Sequence, residues 1–174
     1  KMSLLEIDKE NLPRHIAVIM DGNGRWAKKK GQRREYGHRA GRKAVKRIVE
    51  SCAELKIKNL TLYAFSTENW NRPKLEIDFL MQLLLLSLKD ELKNLNKNNI
   101  KFKTIGNLER LPKKISNYLL KVKKETKDNS ALTLTLALSY GSRNEIVNAV
   151  REIADKVKNN IIYSKESEDT VINV

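Results

Sequence analysis

The stretch His15–Gly41, HIAVIMDGNGRWAKKKGQRREYGHRAG, begins as apolar as a core strand and ends studded with cations. His15–Met20 is a short, nearly continuous apolar run, the pattern of a buried strand. From about Tyr36 the period changes to that of a helix ending near Leu55, with Ala44, Val45, Ile48, Val49, Cys52 and Leu55 on one face. Between them stands Asp21-Gly22-Asn23-Gly24-Arg25-Trp26, an acid, two glycines, an amide, a guanidinium and an indole directly after the strand.

Outward from this stretch the strand-then-helix unit repeats. Leu60–Phe65 reads as a second strand and Leu75–Leu95, started by Pro73, as a second helix. Ile100–Ile105 and Pro112–Lys124 form the third pair, Leu132–Leu138 and Arg143–Val157 the fourth. Four such units predict an α/β protein, a single domain with a mainly parallel central sheet and helices packed around it. In open parallel sheets, ligands bind beyond the carboxyl ends of the strands. Three polar loops are placed there: DGNGRW after the first strand, STENWNRP after the second and SYGSRNE after the fourth. Their convergence on one edge says more than any one of them alone.

The chain has 174 residues, 40% hydrophobic and 32% charged, the composition of a soluble globular protein. The longest apolar runs, such as Leu83–Leu86, are far too short to span a bilayer. Glu6, Asp8, Lys9 and Glu10 interrupt any signal-like stretch near Met2. One cysteine, Cys52, permits no internal disulfide and fits a reducing cytoplasm. The net charge of +14 attracts nucleic acid, anionic lipid headgroups or phosphorylated small molecules alike. Many lysines fall on solvated helix faces, whereas Arg25, Arg33, Arg34, Arg39 and Arg42 crowd one short region.

Gly22 and Gly24 allow main-chain N–H groups to approach an anion closely, although neither a Walker loop nor G-x-G-x-x-G is present. An ordinary strand-to-helix turn would use the same glycines. Arg25, Arg34 and His38 can add charge-assisted bonds to phosphate oxygens. Asp21 is repulsive beside a phosphate unless a Mg²⁺ ion mediates, binding one carboxylate and the phosphates together; as a turn cap it needs no metal. In STENWNRP, Ser66, Thr67, Glu68, Asn69, Trp70 and Arg72 offer hydrogen bonds, an anion clamp and an indole able to cover an apolar segment.

The second helix is apolar on more than one side. Ile77, Leu80, Met81, Leu84 and Leu88 satisfy a sheet-facing stripe, which leaves Phe79, Leu83 and Leu86 facing elsewhere. Such a helix is buried at a subunit interface or walls an apolar channel, with the alternating Leu132, Leu134, Leu136 and Leu138 as a facing wall. Ala64 is the small residue on the Leu60–Leu62–Ala64 face of the second strand, leaving room there for an apolar segment.

The motifs HIAVIMDGNGRWAKKKG…GHRAG, TLYAFSTENWNRP and SYGSRNEI, in order over roughly residues 12 to 157, closely resemble the cis-prenyltransferases. The resemblance implies condensation of farnesyl diphosphate with successive isopentenyl diphosphates, dependent on Mg²⁺, to make undecaprenyl diphosphate, the lipid carrier of cell-wall synthesis. It implies a homodimer in the cytoplasm with peripheral contact at the inner membrane face. It makes Asp21 the essential acid and metal residue, and Gly22, Asn23, Gly24, Arg25, Trp26, Arg34 and His38 the allylic-diphosphate cradle. Asn69 is similar to the residue assisting proton removal, with Ser66, Thr67, Glu68, Trp70 and Arg72 around it. Ala64, Leu83, Leu86 and Leu132 are the expected tunnel residues. The resemblance also implies an arginine-rich diphosphate segment and a metal-binding glutamate, both expected later than the final SEDTVINV. Two other readings compete: a basic nucleic-acid-binding domain, whose few aromatics do not interleave with its cations, and a non-catalytic partner subunit.

Overall fold

The computed structural model describes residues 7–161; the SEDTVINV segment lies outside them. Within these residues four strands, β1 (His15–Ile19), β2 (Asn59–Ser66), β3 (Ile100–Ile105) and β4 (Leu132–Tyr140), make one sheet in the order β1-β2-β4-β3, every pair parallel. Helices α2 (Arg34–Glu54), α3 (Lys74–Lys97), α4 (Lys113–Glu125) and α5 (Ser142–Lys158) follow the strands in turn. The α/β architecture and its units stand as the periodicity predicts, with no element end moved by more than two residues.

At the polar edge, two features depart from the sequence reading. The first is a short helix, α1 (Asn23–Lys29), inside the motif taken for a turn. Gly22 caps it at φ 85°, the left-handed region that a Cβ disfavours, and the Gly22 carbonyl accepts from the Trp26 N–H at 2.8 Å. The second is a 3₁₀ turn, Thr67–Asn71, inside STENWNRP. Its capping box pairs Ser66 and Asn69, the Ser66 N–H donating to Asn69 Oδ1 at 3.2 Å.

The core lies between the sheet and the helices. Leu60, Leu62, Leu132 and Leu138 are fully buried on the strands, packed with Met81 and Leu88 of α3 and Leu119 and Val122 of α4. The strand order sets β1, β2 and β4 side by side, so the loops after them are neighbours, while β3 takes the outer edge.

α1 reaches its place because α2 carries glycines one turn apart. A Cβ on Gly37 would sit 2.0 Å from the Asn23 carbonyl oxygen, and one on Gly41 would sit 2.7 Å from Asn23 Nδ2. Gly37→Ala is therefore expected to push α1 off α2 and destabilise the fold by about 1–3 kcal/mol through overpacking. Urea unfolding at a constant m-value checks it, and an unchanged midpoint would contradict the close approach.

Candidate active site

Asp21 stands at the carboxyl end of β1 and is exposed. The Gly22 N–H donates to its Oδ1 and the Arg25 guanidinium to its Oδ2 at 2.7 Å. These two contacts, the backbone one first, hold its pKa below the usual 3.8, so it is a carboxylate at neutral pH. Among the described residues no three acids, histidines or cysteines cluster as a ready-made metal cage. The donor set fits a hard cation that takes one carboxylate here and completes its shell with phosphate oxygens and water.

A cavity of about 250 Å³ opens beside this edge and runs between α2, α3 and the sheet. Asn23, His38, Asn69 and Arg72 line its upper part, where α2 and α3 begin. Leu80, Leu83 and Leu84 of α3 face Leu134, Leu136 and Leu138 of β4 along its length. Ala64 is also in the wall, at a break in the β2–β4 register between Tyr63 and Phe65. The break lets Phe65, only 4% exposed, turn into the core next to Ala64, which strict alternation forbids.

Two expected tunnel residues are not in this wall. Leu86 is 52% exposed on the solvent side of α3, and Leu132 is buried in the core outside the cavity lining. The reason for Leu86 is angular: at ~100° per residue, four consecutive leucines cannot all face one groove. Leu132 lies at the start of β4, farthest along the strand from the carboxyl edge, while its alternation partners Leu134, Leu136 and Leu138 form the wall instead.

Neither tryptophan lines the cavity. Trp26 is part of an exposed stack, its ring parallel to that of Tyr36 at 5.7 Å with Lys30 Nζ 4.5 Å from its centroid. The Trp70 indole is a strut between loops: its N–H donates to Ser139 Oγ at 3.0 Å, its edge meets Phe65, and the Arg110 guanidinium covers it at 5.2 Å. That hydrogen bond ties the 3₁₀ turn to β4 and turns the ring into protein, away from the apolar segment it was expected to cover. Thr67 comes close to the third loop, since a Cβ on Gly141 would meet its Oγ1 at 2.6 Å. Glu68 is exposed, its pKa lowered first by the Ser66 side chain.

Glu76, which the sequence reading passed over, organises the cations. Arg34 Nη1 donates to both its oxygens at 3.1 Å, and Arg72 Nη1 donates to Oε1 at 2.8 Å. Arg72 and Glu76 are four apart across a helix start, a spacing that could have flagged the pair. His38 Nε2 lies 3.5 Å from Glu76 Oε1, buried and without a hydrogen-bond partner. Farther along, Arg42 meets Asp90 and Lys46 meets Glu91 at 3.5 Å, so α2 offers a basic group or histidine to α3 at every fourth position from Arg34.

Burial, ahead of the opposing pull of Glu76, pushes the His38 pKa below 6.5. Burial raises Glu76, but Arg34 and Arg72 together outweigh it and leave its pKa below 4.5. Both groups bind protons less readily folded than unfolded, so each contributes stability above its unfolded pKa that is lost as pH falls through the folded one. Stability is expected to be level above about 6.5 and to fall in two steps, first with His38 and then with Glu76 below 4.5. Thermal melts from pH 2 to 8 check this, and His38→Gln should remove the first step only.

Residues 19–173 match the prenyltransferase family model described for undecaprenyl diphosphate synthase. The chain belongs to this family. It is 49% identical over 150 residues to the isoprenyl transferase of Clostridium perfringens, covering 86% of this chain and 59% of that protein. It is 44% identical over 162 residues to the farnesyl-diphosphate-specific ditrans,polycis-undecaprenyl-diphosphate synthase of Photorhabdus laumondii, covering 93% and 64%. Its fold superposes with a TM-score of 0.87 and 34% identity on lavandulyl diphosphate synthase from Lavandula x intermedia, solved with dimethylallyl diphosphate, over 91% of this chain and 68% of that one. The chain thus spans about six-tenths of the length of the curated relatives it matches. Among the described residues no helix is long and apolar enough to cross a membrane.

Proposed function

We propose that this chain carries the allylic-substrate and elongation site of a cis-prenyltransferase that extends farnesyl diphosphate with isopentenyl diphosphates to undecaprenyl diphosphate. One observation supports it above the rest: the polar edge of three adjacent strands opens onto a cavity walled by leucines. An amphiphile with a phosphorylated head and a long apolar tail matches both ends of that space. The arginines argue against a nucleic-acid interface, because Arg25, Arg34, Arg42 and Arg72 each face a carboxylate instead of forming an open basic stripe. Asp21 and Asn69 at the mouth favour an enzyme over a non-catalytic partner subunit.

In the proposed reaction the allylic C–O bond breaks and its electron pair leaves with diphosphate. The alkene of isopentenyl diphosphate forms the new C–C bond, and a proton is then lost from the adjacent carbon. Arg34, Arg72 and the N–H groups of Asn23–Arg25 would stabilise the departing charge, and the cavity wall would hold the tail in line. Asp21 would hold Mg²⁺, which supplies Lewis-acid neutralisation of the diphosphate. Asn69 is uncharged and its Oδ1 accepts from Ser66, so it would assist proton loss by fixing geometry through its Nδ2 rather than by holding the proton.

A homodimer and a place in cell-wall lipid synthesis at the inner membrane face belong to the same reading. The exposed Ile146, Val147 and Val150 of α5 support a partner face. The test is to incubate the full-length protein with farnesyl diphosphate and labelled isopentenyl diphosphate. Long-chain label extractable into butanol, lost on EDTA treatment and restored by Mg²⁺, is the expected result. Failure to extend any allylic diphosphate would overturn the reading.

A further inference from the structure

Glu76 belongs to none of the three polar loop motifs, yet it is the acid on which the site's cations converge. Its side chain is 12% exposed at the start of α3, and it joins three elements: Arg34 and His38 come from α2 and Arg72 from the loop after β2. Each arginine gives it one terminal nitrogen, Nη1. Among the described residues the other nitrogens of both guanidinium groups donate to no protein acceptor. Arg34 also lies along α1, where its Nε would be 3.2 Å from a Cβ on Gly24, so the absence of that Cβ gives it room. Arg72 lies in the cavity wall with Asn69. Two like charges brought this close repel unless an anion sits between them. Lost to solvent, each long side chain would regain rotamer freedom that a ligand must then remove.

We propose that Glu76 is a positioning residue: it clamps one edge of both guanidinium groups so that their free N–H groups stand ready as a fork for diphosphate oxygens. The inference rests on the reading above that this site takes a diphosphate. It also separates Glu76 from Asp21, since Glu76 acts only through the two arginines.

The test uses the full-length protein, with inorganic diphosphate and Mg²⁺ as the probe, titrated by calorimetry beside prenyl-transfer kinetics. Glu76→Gln keeps the side chain's size and removes its charge. It should weaken diphosphate binding about 10–100-fold, the loss expected from charge-assisted hydrogen bonds, and raise KM for the allylic substrate more than it lowers kcat. Glu76→Asp restores the charge one methylene short and should fall between wild type and Glu76→Gln; it also serves if the glutamine variant does not fold. With Arg34→Met already present, Glu76→Gln should cost clearly less than it does alone, because one of its two clients is gone. A merely structural role would lower the melting temperature, leave diphosphate affinity unchanged and show no such non-additivity. Wild-type affinity and KM in a folded Glu76→Gln protein would overturn the proposal. Wild-type protein that binds no diphosphate would instead overturn the reading of the site, and the proposal with it.

Discussion

Asp21→Ala in the full-length protein is expected to lower turnover by at least about 10²–10³-fold, the scale for deleting one group that stabilises developing charge. The fold should not notice. Asp21 is exposed, and its two contacts are to the neighbouring Gly22 N–H and to Arg25, four residues on. Exposed positions of this kind change stability by less than about 0.5 kcal/mol. Binding of the allylic substrate should largely survive, since Arg34, Arg72 and the main chain of α1 remain. The effect therefore belongs in kcat, and a turnover rate equal to wild type would remove Asp21 from the chemistry.

Ala64→Leu should change what is made rather than how fast the first step runs. Ala64 lines the cavity at the register break in β2, close to the 3₁₀ turn that carries Asn69. A leucine there would intrude where the tail must pass, so shorter prenyl diphosphates should accumulate in place of the long product. Were Ala64 only a packing residue, the same change would cost about 1–3 kcal/mol and leave the product pattern alone. Chromatography of the products, paired with a melting curve, separates the two. An unshifted chain-length distribution would take Ala64 out of the tunnel.

The elements that the sequence made legible are those whose partners are close along the chain. Hydrophobic period is local, so β3 was read to its ends and α3 to within two residues. The edge on which the three loops emerge also follows, because successive parallel units expose the same strand ends. The motif in Asp21–Trp26 was legible as chemistry and not as structure. α1 went unseen because its seven residues carry a single buried side chain, Ala27, too little to make a period. Its position depends on Gly37 and Gly41, which look like ordinary small residues until Asn23 is laid against them.

The sequence thus determined an α/β chain with one polar edge, an acid beside a glycine pair, and more leucine on one helix than a sheet can bury. Only the tertiary structure decided which leucines face a cavity: Leu83 does, Leu86 is out in solvent and Leu132 is in the core. It alone turned Trp70 inward to Ser139, two residues 69 apart in sequence, and set Glu76 against Arg34, 42 apart. The physical reason is range. Backbone period and turn chemistry act over a few residues, whereas a cavity wall and a buried ion cluster exist only where distant segments are packed together, and their energy depends on distances that no local pattern encodes.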